Sequence, residues 1–340
     1  MDTNQHHAAP PSPAPDSRPD VHPPDGGPGA PGFVSSTVGL LPGPDDIAFY
    51  RANGYWISPV ILPAEVLDAA ERGMERLYAG DHDHTLPDIP GTRGWQPSDG
   101  DVLRKNDYAS LRVDELADLV RHPAIGATAA ALSGADGIRL WHDQLLYKPV
   151  DRVGGAARVG WHTDRQYWQS CTSDEMLTAW VGFHDVDEVN GAVSFLPGSH
   201  RWDVSGLDFF SQDLESLNAS IAAQGYDPTP VTPRMRRGQI SFHHCRTVHG
   251  SSANRSTAPR RSIAIHLQPA DNRWRPGADH TNNLLARIDP SIGGPDYTDP
   301  TIQPLLWPRG SRANETQVSL VVGLVFETPN WFLSLQTFNL

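Results

Sequence analysis

The stretch Gly160–Thr172, GWHTDRQYWQSCT, sets an imidazole and a carboxylate one residue apart, at His162 and Asp164. On an extended strand, residues i and i+2 project from the same face, so both side chains aim at one point. One more histidine makes a 2-His-1-carboxylate triad. Such a triad grips a metal from one side and leaves room on the other for a chelating cosubstrate and O₂. The triplet alone is weak, because a chain with 15 His is expected to contain about one His-x-Asp by chance.

The best third ligand is His249, in RTVHGSSANRSTAPRRSIAIHL, 85 residues after Asp164. It closes a predicted strand, GQISFHHCRTVH, and Gly250 follows it. Eleven residues further on, Arg260 opens the next strand. A metal that takes a bidentate 2-oxo acid needs a group to hold the acid's far carboxylate. A guanidinium does this with paired, charge-assisted hydrogen bonds. His243 is the main rival ligand, since a regular strand puts it on the same face as His249. Arg261 is the rival anchor, but adjacent strand residues face opposite ways, so only one of the two arginines can point inward.

These residues need a scaffold that brings distant segments together. Order is expected from Pro44, with a first helix capped by Asp45 or Asp46 and ending at Gly54. YWISPVI reads as a strand. Pro63 opens a second helix, with Val66, Leu67, Ala70, Met74 and Leu77 at helical spacing. A third helical segment runs from Val113 to Gly134, with a break at His122-Pro123. Beyond Gly137 the texture changes to short apolar runs between turns: IRLWHDQLLYK, LTAWVGFHDV, AVSFLP, GQISFHHCRTVH and RRSIAIHLQ. That pattern predicts an antiparallel sandwich or barrel beneath a helical N-terminal layer. Asn190-Gly191 and Pro197–His200 read as turns that shape it.

Residues 1–40 are rich in Pro, Gly, Asp and His and are expected to form a disordered tail, His6 and His7 included. Residues 41–308 form the expected domain, with a helical layer over 44–134 and a β core over 137–270. Within residues 309–340, VSLVVGLVF and NWFLSL are apolar, with Glu327–Asn330 between them; an extra hairpin, a partner-binding tail and sequence foreign to the domain all fit, and no structure is assigned. The net charge of −13 disfavours nucleic acid as a partner. No apolar run is long enough to span a bilayer, and the N-terminus lacks the pattern of a secretory signal. With only two cysteines, Cys171 and Cys245, a cytoplasmic setting is expected.

His162-Thr163-Asp164, NGAVSFLPGSHRW and HGSSANRSTAPRR together resemble the phytanoyl-CoA dioxygenase-like family of Fe(II)/2-oxoglutarate oxygenases, which includes ectoine hydroxylase. The resemblance runs over roughly residues 45–280. It implies a double-stranded β-helix, or jelly-roll, core. It implies Fe(II), 2-oxoglutarate and O₂ as metal and cosubstrates, and hydroxylation of a small molecule with release of succinate and CO₂. Residue by residue, it matches His162, Asp164 and His249 to the iron ligands and Arg260 to the anchor of the distal carboxylate. Ser251 matches a hydroxyl partner of that carboxylate. Gln144 and Trp180 match cosubstrate-pocket residues, and Lys148 and Lys105 stand where relatives carry pocket residues. Trp168 matches a substrate-facing aromatic, and Arg165, in the same RQYW stretch, is expected at the substrate entrance with the 80–101 loop and RWRPGADHTNN. Thr163 departs from the family's frequent Gln without touching the ligand set. Halogenating relatives carry a small residue at the position of Asp164, so an intact carboxylate implies hydroxylation or a related oxidation.

Two other classes fit parts of the pattern. One is a β-barrel hydrolase or isomerase with Zn²⁺ on the same triad, for which Arg260 and Ser251 have no use. The other is a non-catalytic jelly-roll binding protein, which needs neither triad nor anchor.

Overall fold

The computed structural model describes residues 41–87, 94–95, 97–100, 102–152, 157–207 and 214–307. The expected N-terminal tail, the 309–340 segment and parts of the 80–101 loop lie outside the described residues.

Helix α1 (Pro44–Asn53) starts with Pro at its first turn and ends at Gly54, whose φ of 78° suits a residue without Cβ. The expected cap moves by a few residues. Gly43 is the N-cap, and its N–H donates back to Asp46 Oδ2 at 2.9 Å. The other oxygen of Asp46 accepts from Trp56 Nε1 at 3.0 Å, which ties α1 to strand β1 (Tyr55–Ile57). Helix α2 (Ala64–Tyr78) follows Pro63 and buries Leu67, Ala70, Met74 and Leu77. Strand β2 (Arg104–Asp107) precedes α3 (Asp114–Val120) and α4 (Pro123–Ser133). The break between those two helices falls at His122-Pro123, because proline cannot continue the helix it follows.

The β core comprises β3 (Ile138–Lys148), β4 (Val159–His162), β5 (Leu177–Gly182), β6 (Val193–Phe195), β7 (Ile240–His244), β8 (His249–Ser251) and β9 (Arg260–Pro269). All pairings named here are antiparallel. The large sheet runs β1-β7-β5-β9-β3, closed at its far edge by Leu305–Trp307, with β2 also on β3. The small sheet runs β4-β8-β6. Two antiparallel sheets with a helical layer on one side form the expected jelly-roll architecture.

Alternation along the central strands divides the molecule. Leu177, Ala179, Val181, Ile240, Phe242, Ile263, Ile265 and Leu267 join the helices in one apolar core. Their in-between neighbours Thr178, Trp180, His243, Ala264 and His266 line a cavity instead. The large sheet is therefore apolar toward the helices and polar toward the small sheet, so the cavity wall is built by the same period-2 pattern that builds the core.

Two local expectations change. His249 does not end a long strand; β7 stops at His244, a turn intervenes, and His249 is the first residue of β8. Asp164 is not on a strand either. It opens a short 3₁₀ turn, Asp164–Gln166, just after β4. Thr163 remains extended (φ −118°, ψ 140°), so the carboxylate still falls on the same side as His162.

Candidate active site

His162 and His249 are direct cross-strand partners on β4 and β8, with ring centroids 4.1 Å apart. Each ring is pinned the same way. His162 Nδ1 lies 2.9 Å from the Gly160 carbonyl, and His249 Nδ1 lies 2.9 Å from the Thr247 carbonyl. A carbonyl only accepts, so each Nδ1 carries the proton and each Nε2 lone pair is free for a metal. Asp164 Oδ1 sits 3.7 Å from His249 Nε2. One donor atom from each of His162, Asp164 and His249 falls within 4.8 Å of the other two, so the three can hold a single ion.

The charge states suit a divalent cation. Burial pushes His162 and His249 down to about 4, so both imidazoles are neutral at neutral pH. Burial works to raise the Asp164 carboxyl, but the imidazoles of His249, His243 and His266 outweigh it and hold it well below the usual carboxylate range. Two neutral nitrogens and one carboxylate are the donor set of the facial triad. His243, the rival ligand, lies 3.5 Å from Asp164 Oδ2, on the side away from Oδ1. Both of its ring nitrogens are buried without a hydrogen-bond partner.

The cavity in front of the triad measures about 550 Å³. Arg260 forms part of its wall and is 2% exposed. Its Nη1 donates to the Gly191 carbonyl at 2.8 Å, its Nε has no partner, and its guanidinium carbon lies 5.1 Å from the Trp180 ring centre. Burial pushes the guanidinium down to about 9. Among the described residues no carboxylate pairs with it, and a buried cation without a counter-ion fits an anionic ligand. Arg261 faces the other way and pairs with Glu71 at 3.1 Å on α2.

Ser251, Gln144, Trp180, Trp168 and Lys105 also line the cavity, with Lys105 exposed at its mouth. Lys148 does not. It is fully buried behind Ser251, where Nζ donates to Ser251 Oγ and to the Ser252 carbonyl, both at 2.6 Å. Arg165 does not line the cavity either. Its Nε donates to Asp174 at 2.6 Å and its other nitrogens to the Trp168 and Cys171 carbonyls, so it clasps the turn that carries Trp168. The RWRPGADHTNN stretch reaches the cavity through His280 and Thr281. His200 is in a 3₁₀ turn, and His82 and His84 are in a loop, His84 beside Asp114. Cys171 and Cys245 are both free and buried.

Thr178, His266 and His142 were not singled out from the sequence. Thr178 Oγ1 donates to Asp164 Oδ2 at 2.6 Å and lies 2.7 Å from His266 Nδ1. The His142 ring lies tilted against His266 with centroids 4.4 Å apart, and Trp168 meets the His266 ring edge-on at 4.9 Å. The available signal was alternation: in LTAWVG and AIHLQ, the polar residues share one face.

Residues 50–262, more than half of the chain, match the phytanoyl-CoA dioxygenase (PhyH) family. The chain belongs to that family. Its members are oxygenases that use Fe(II) and 2-oxoglutarate, and the triad and the unpaired arginine fit both. The chain is 31% identical over 180 residues to a probable alpha-ketoglutarate-dependent hypophosphite dioxygenase of Stutzerimonas stutzeri, a match covering 50% of this chain and 58% of that protein. It also resembles the solved structure of SnoK, a non-heme alpha-ketoglutarate-dependent carbocyclase from nogalamycin biosynthesis, at 27% identity and TM-score 0.59. That likeness covers 77% of this chain and 96% of SnoK. The epimerase SnoN in complex with Fe3+, alpha ketoglutarate and nogalamycin RO is similar at 27% identity and TM-score 0.58, covering 77% of this chain and 97% of SnoN. No helix among the described residues is long and apolar enough to cross a membrane.

Proposed function

We propose that the chain is an Fe(II)- and 2-oxoglutarate-dependent dioxygenase that oxidises a C–H bond of a small organic molecule, most simply by hydroxylation. The observation that carries this is the pairing of the His162–Asp164–His249 triad with the unpaired, buried Arg260 on the wall of one cavity. In this reading the triad holds Fe(II) through two Nε2 atoms and Asp164 Oδ1. Arg260 holds the far carboxylate of 2-oxoglutarate, with Ser251 beside it and Lys148 fixing Ser251 from behind. Bound Fe(II) and 2-oxoglutarate supply O₂ activation, with succinate and CO₂ as by-products. The chain's own residues bind, orient and keep water out, and no side chain has to act as a nucleophile.

The oxygenase domain covers residues 41–308 in this reading, and its setting is cytoplasmic. The substrate is a polar molecule with a ring system. Trp161, Tyr167 and Trp168 give the cavity flat apolar faces, and its volume is within the usual range of small-molecule sites. Burial lowers the pKa of His142, His266 and His280, so these three imidazoles are uncharged at neutral pH, and the cation nearest them is Lys105 at the mouth. The carbocyclase and epimerase of nogalamycin biosynthesis make ring closure and epimerisation alternatives to hydroxylation on such a substrate.

The test is anaerobic titration of the apoprotein with Fe(II) and then 2-oxoglutarate, followed by visible absorption. A charge-transfer band in wild type that weakens in Arg260→Ala supports the reading. Iron binding without a band removes the cosubstrate from it.

A further inference from the structure

Thr178, His266 and His243 form a lateral row on three neighbouring strands. Thr178 on β5 pairs in register with His243 on β7 and with His266 on β9. All three side chains face the cavity, and all three approach one atom. Asp164 Oδ2 is 2.6 Å from Thr178 Oγ1, 3.5 Å from His243 Nε2 and 3.9 Å from His266 Nδ1. The other oxygen, Oδ1, is the one that approaches His249 Nε2. The two oxygens therefore meet different surroundings, one polar and crowded, the other facing the triad.

The protons along this row can be placed by counting. An ionised carboxylate only accepts, so the single Thr178 hydroxyl proton goes to Asp164 Oδ2. That hydroxyl has no second proton to give His266 Nδ1 at 2.7 Å, so Nδ1–H donates to Thr178 Oγ1. The result is a directional chain, His266 Nδ1–H to Thr178 O–H to Asp164 Oδ2. Thr178 is 1% exposed and His266 5% exposed, so water competes little for either bond. A threonine kept only for its strand-forming shape has no need of a buried hydroxyl with two polar partners.

We propose that Thr178 and His266 are positioning residues that commit Asp164 to one-oxygen metal binding through Oδ1. The inference rests on Asp164 being an iron ligand, as proposed above. With Oδ2 occupied by a hydrogen bond, the carboxylate cannot turn to grip the ion with both oxygens. A coordination position is thereby kept open for the cosubstrate or O₂. His266 acts through Thr178, holding the hydroxyl in the rotamer that points at Asp164.

The experiment compares Thr178→Val with Thr178→Ser, and His266→Leu with His266→Asn, whose amide N–H can replace Nδ1–H. Fe(II) affinity is read by anaerobic competition with a chromophoric chelator. The visible band is read after adding 2-oxoglutarate, and the melting temperature of each apoprotein reports folding. Thr178→Val is expected to weaken Fe(II) binding by about 10–100-fold and to shift the band, whereas Thr178→Ser stays within about threefold of wild type. His266→Leu is expected to lose affinity and His266→Asn to recover it. If Thr178→Val does not fold, the His266 pair carries the test. Wild-type affinity and an unchanged band in folded Thr178→Val or His266→Leu would overturn the relay alone. Absence of Fe(II) binding by wild type would overturn the ligand reading and the relay with it.

Discussion

Arg260 and Lys148 are cross-strand partners on β9 and β3, two buried basic side chains with no carboxylate paired to either among the described residues. Such a pair repels unless an anion arrives or one member gives up its proton. Both happen in the proposed cycle. Arg260 faces the cavity and meets the 2-oxoglutarate carboxylate, while Lys148 stays behind Ser251 as a largely neutral amine. Arg260→Leu should raise the 2-oxoglutarate dissociation constant by about 100-fold, the worth of a buried charge-assisted pair, and leave Fe(II) affinity near wild type. Arg260→Lys should recover only part of this, because an ammonium cannot make the two-pronged contact. Calorimetric titration of each variant with the two ligands separately checks it.

Lys148 makes stability depend on pH. Burial, reinforced by Arg260, pushes its ammonium down to about 6. In the unfolded chain it titrates near ~10.4. Between those values the unfolded state holds one more proton at this site than the folded state, so the site's contribution to stability rises with pH from about 6 upward. Apoprotein melts at a series of pH values from slightly acid to alkaline should show a steeper rise in wild type than in Lys148→Met. Parallel curves would rule this linkage out.

His249 and His243 lie close, with ring centroids 4.3 Å apart, but their roles differ. His249→Ala should abolish stoichiometric Fe(II) binding, with affinity down at least about 100-fold. His243→Phe should retain one Fe(II) per chain with less than about tenfold weakening, since its Nε2 lies beside the oxygen of Asp164 turned away from His249. Metal analysis after desalting distinguishes the two. An iron-free His243→Phe that still folds would exchange the assignments.

Gly191 supplies the carbonyl that accepts Arg260 Nη1, and its φ is 76°. A Cβ there would sit 2.7 Å from the Ser252 carbonyl oxygen and 3.1 Å from Lys148 Cδ. Gly191→Ala should therefore destabilise the fold by about 1–3 kcal/mol through left-handed backbone strain and crowding. It should also weaken 2-oxoglutarate binding by displacing the Arg260 support. A thermal melt and a cosubstrate titration on the same preparation measure both.

Much of this molecule is local and so was legible in the sequence. Proline at 123 had to break the helical run, because it lacks an N–H and clashes with the preceding turn. The apolar runs from Ile138 onward had to be strands by their length and turn boundaries. Alternation required that only one of Arg260 and Arg261 point inward, the family spacing favoured Arg260, and the structure sets Arg260 on the cavity wall and Arg261 against Glu71 on α2. His162, Asp164 and His249 were legible as a group because a metal site demands particular residue types, and the fold brings their donor atoms together. Tertiary structure decided what depends on lateral register and on loops. Pairing of β5 with β7 and β9 aligned Thr178 with His243 and His266 beneath the carboxylate. The turn after β7 made His249 the start of a strand, and Asp174 drew Arg165 away from the cavity. Lys148 lies behind Ser251 because β3 pairs it with Arg260, a contact between residues more than a hundred positions apart. Periodicity along one strand shows which residues share a face. It cannot show which residue of another strand stands beside them, because that choice is made by the packing of the whole chain.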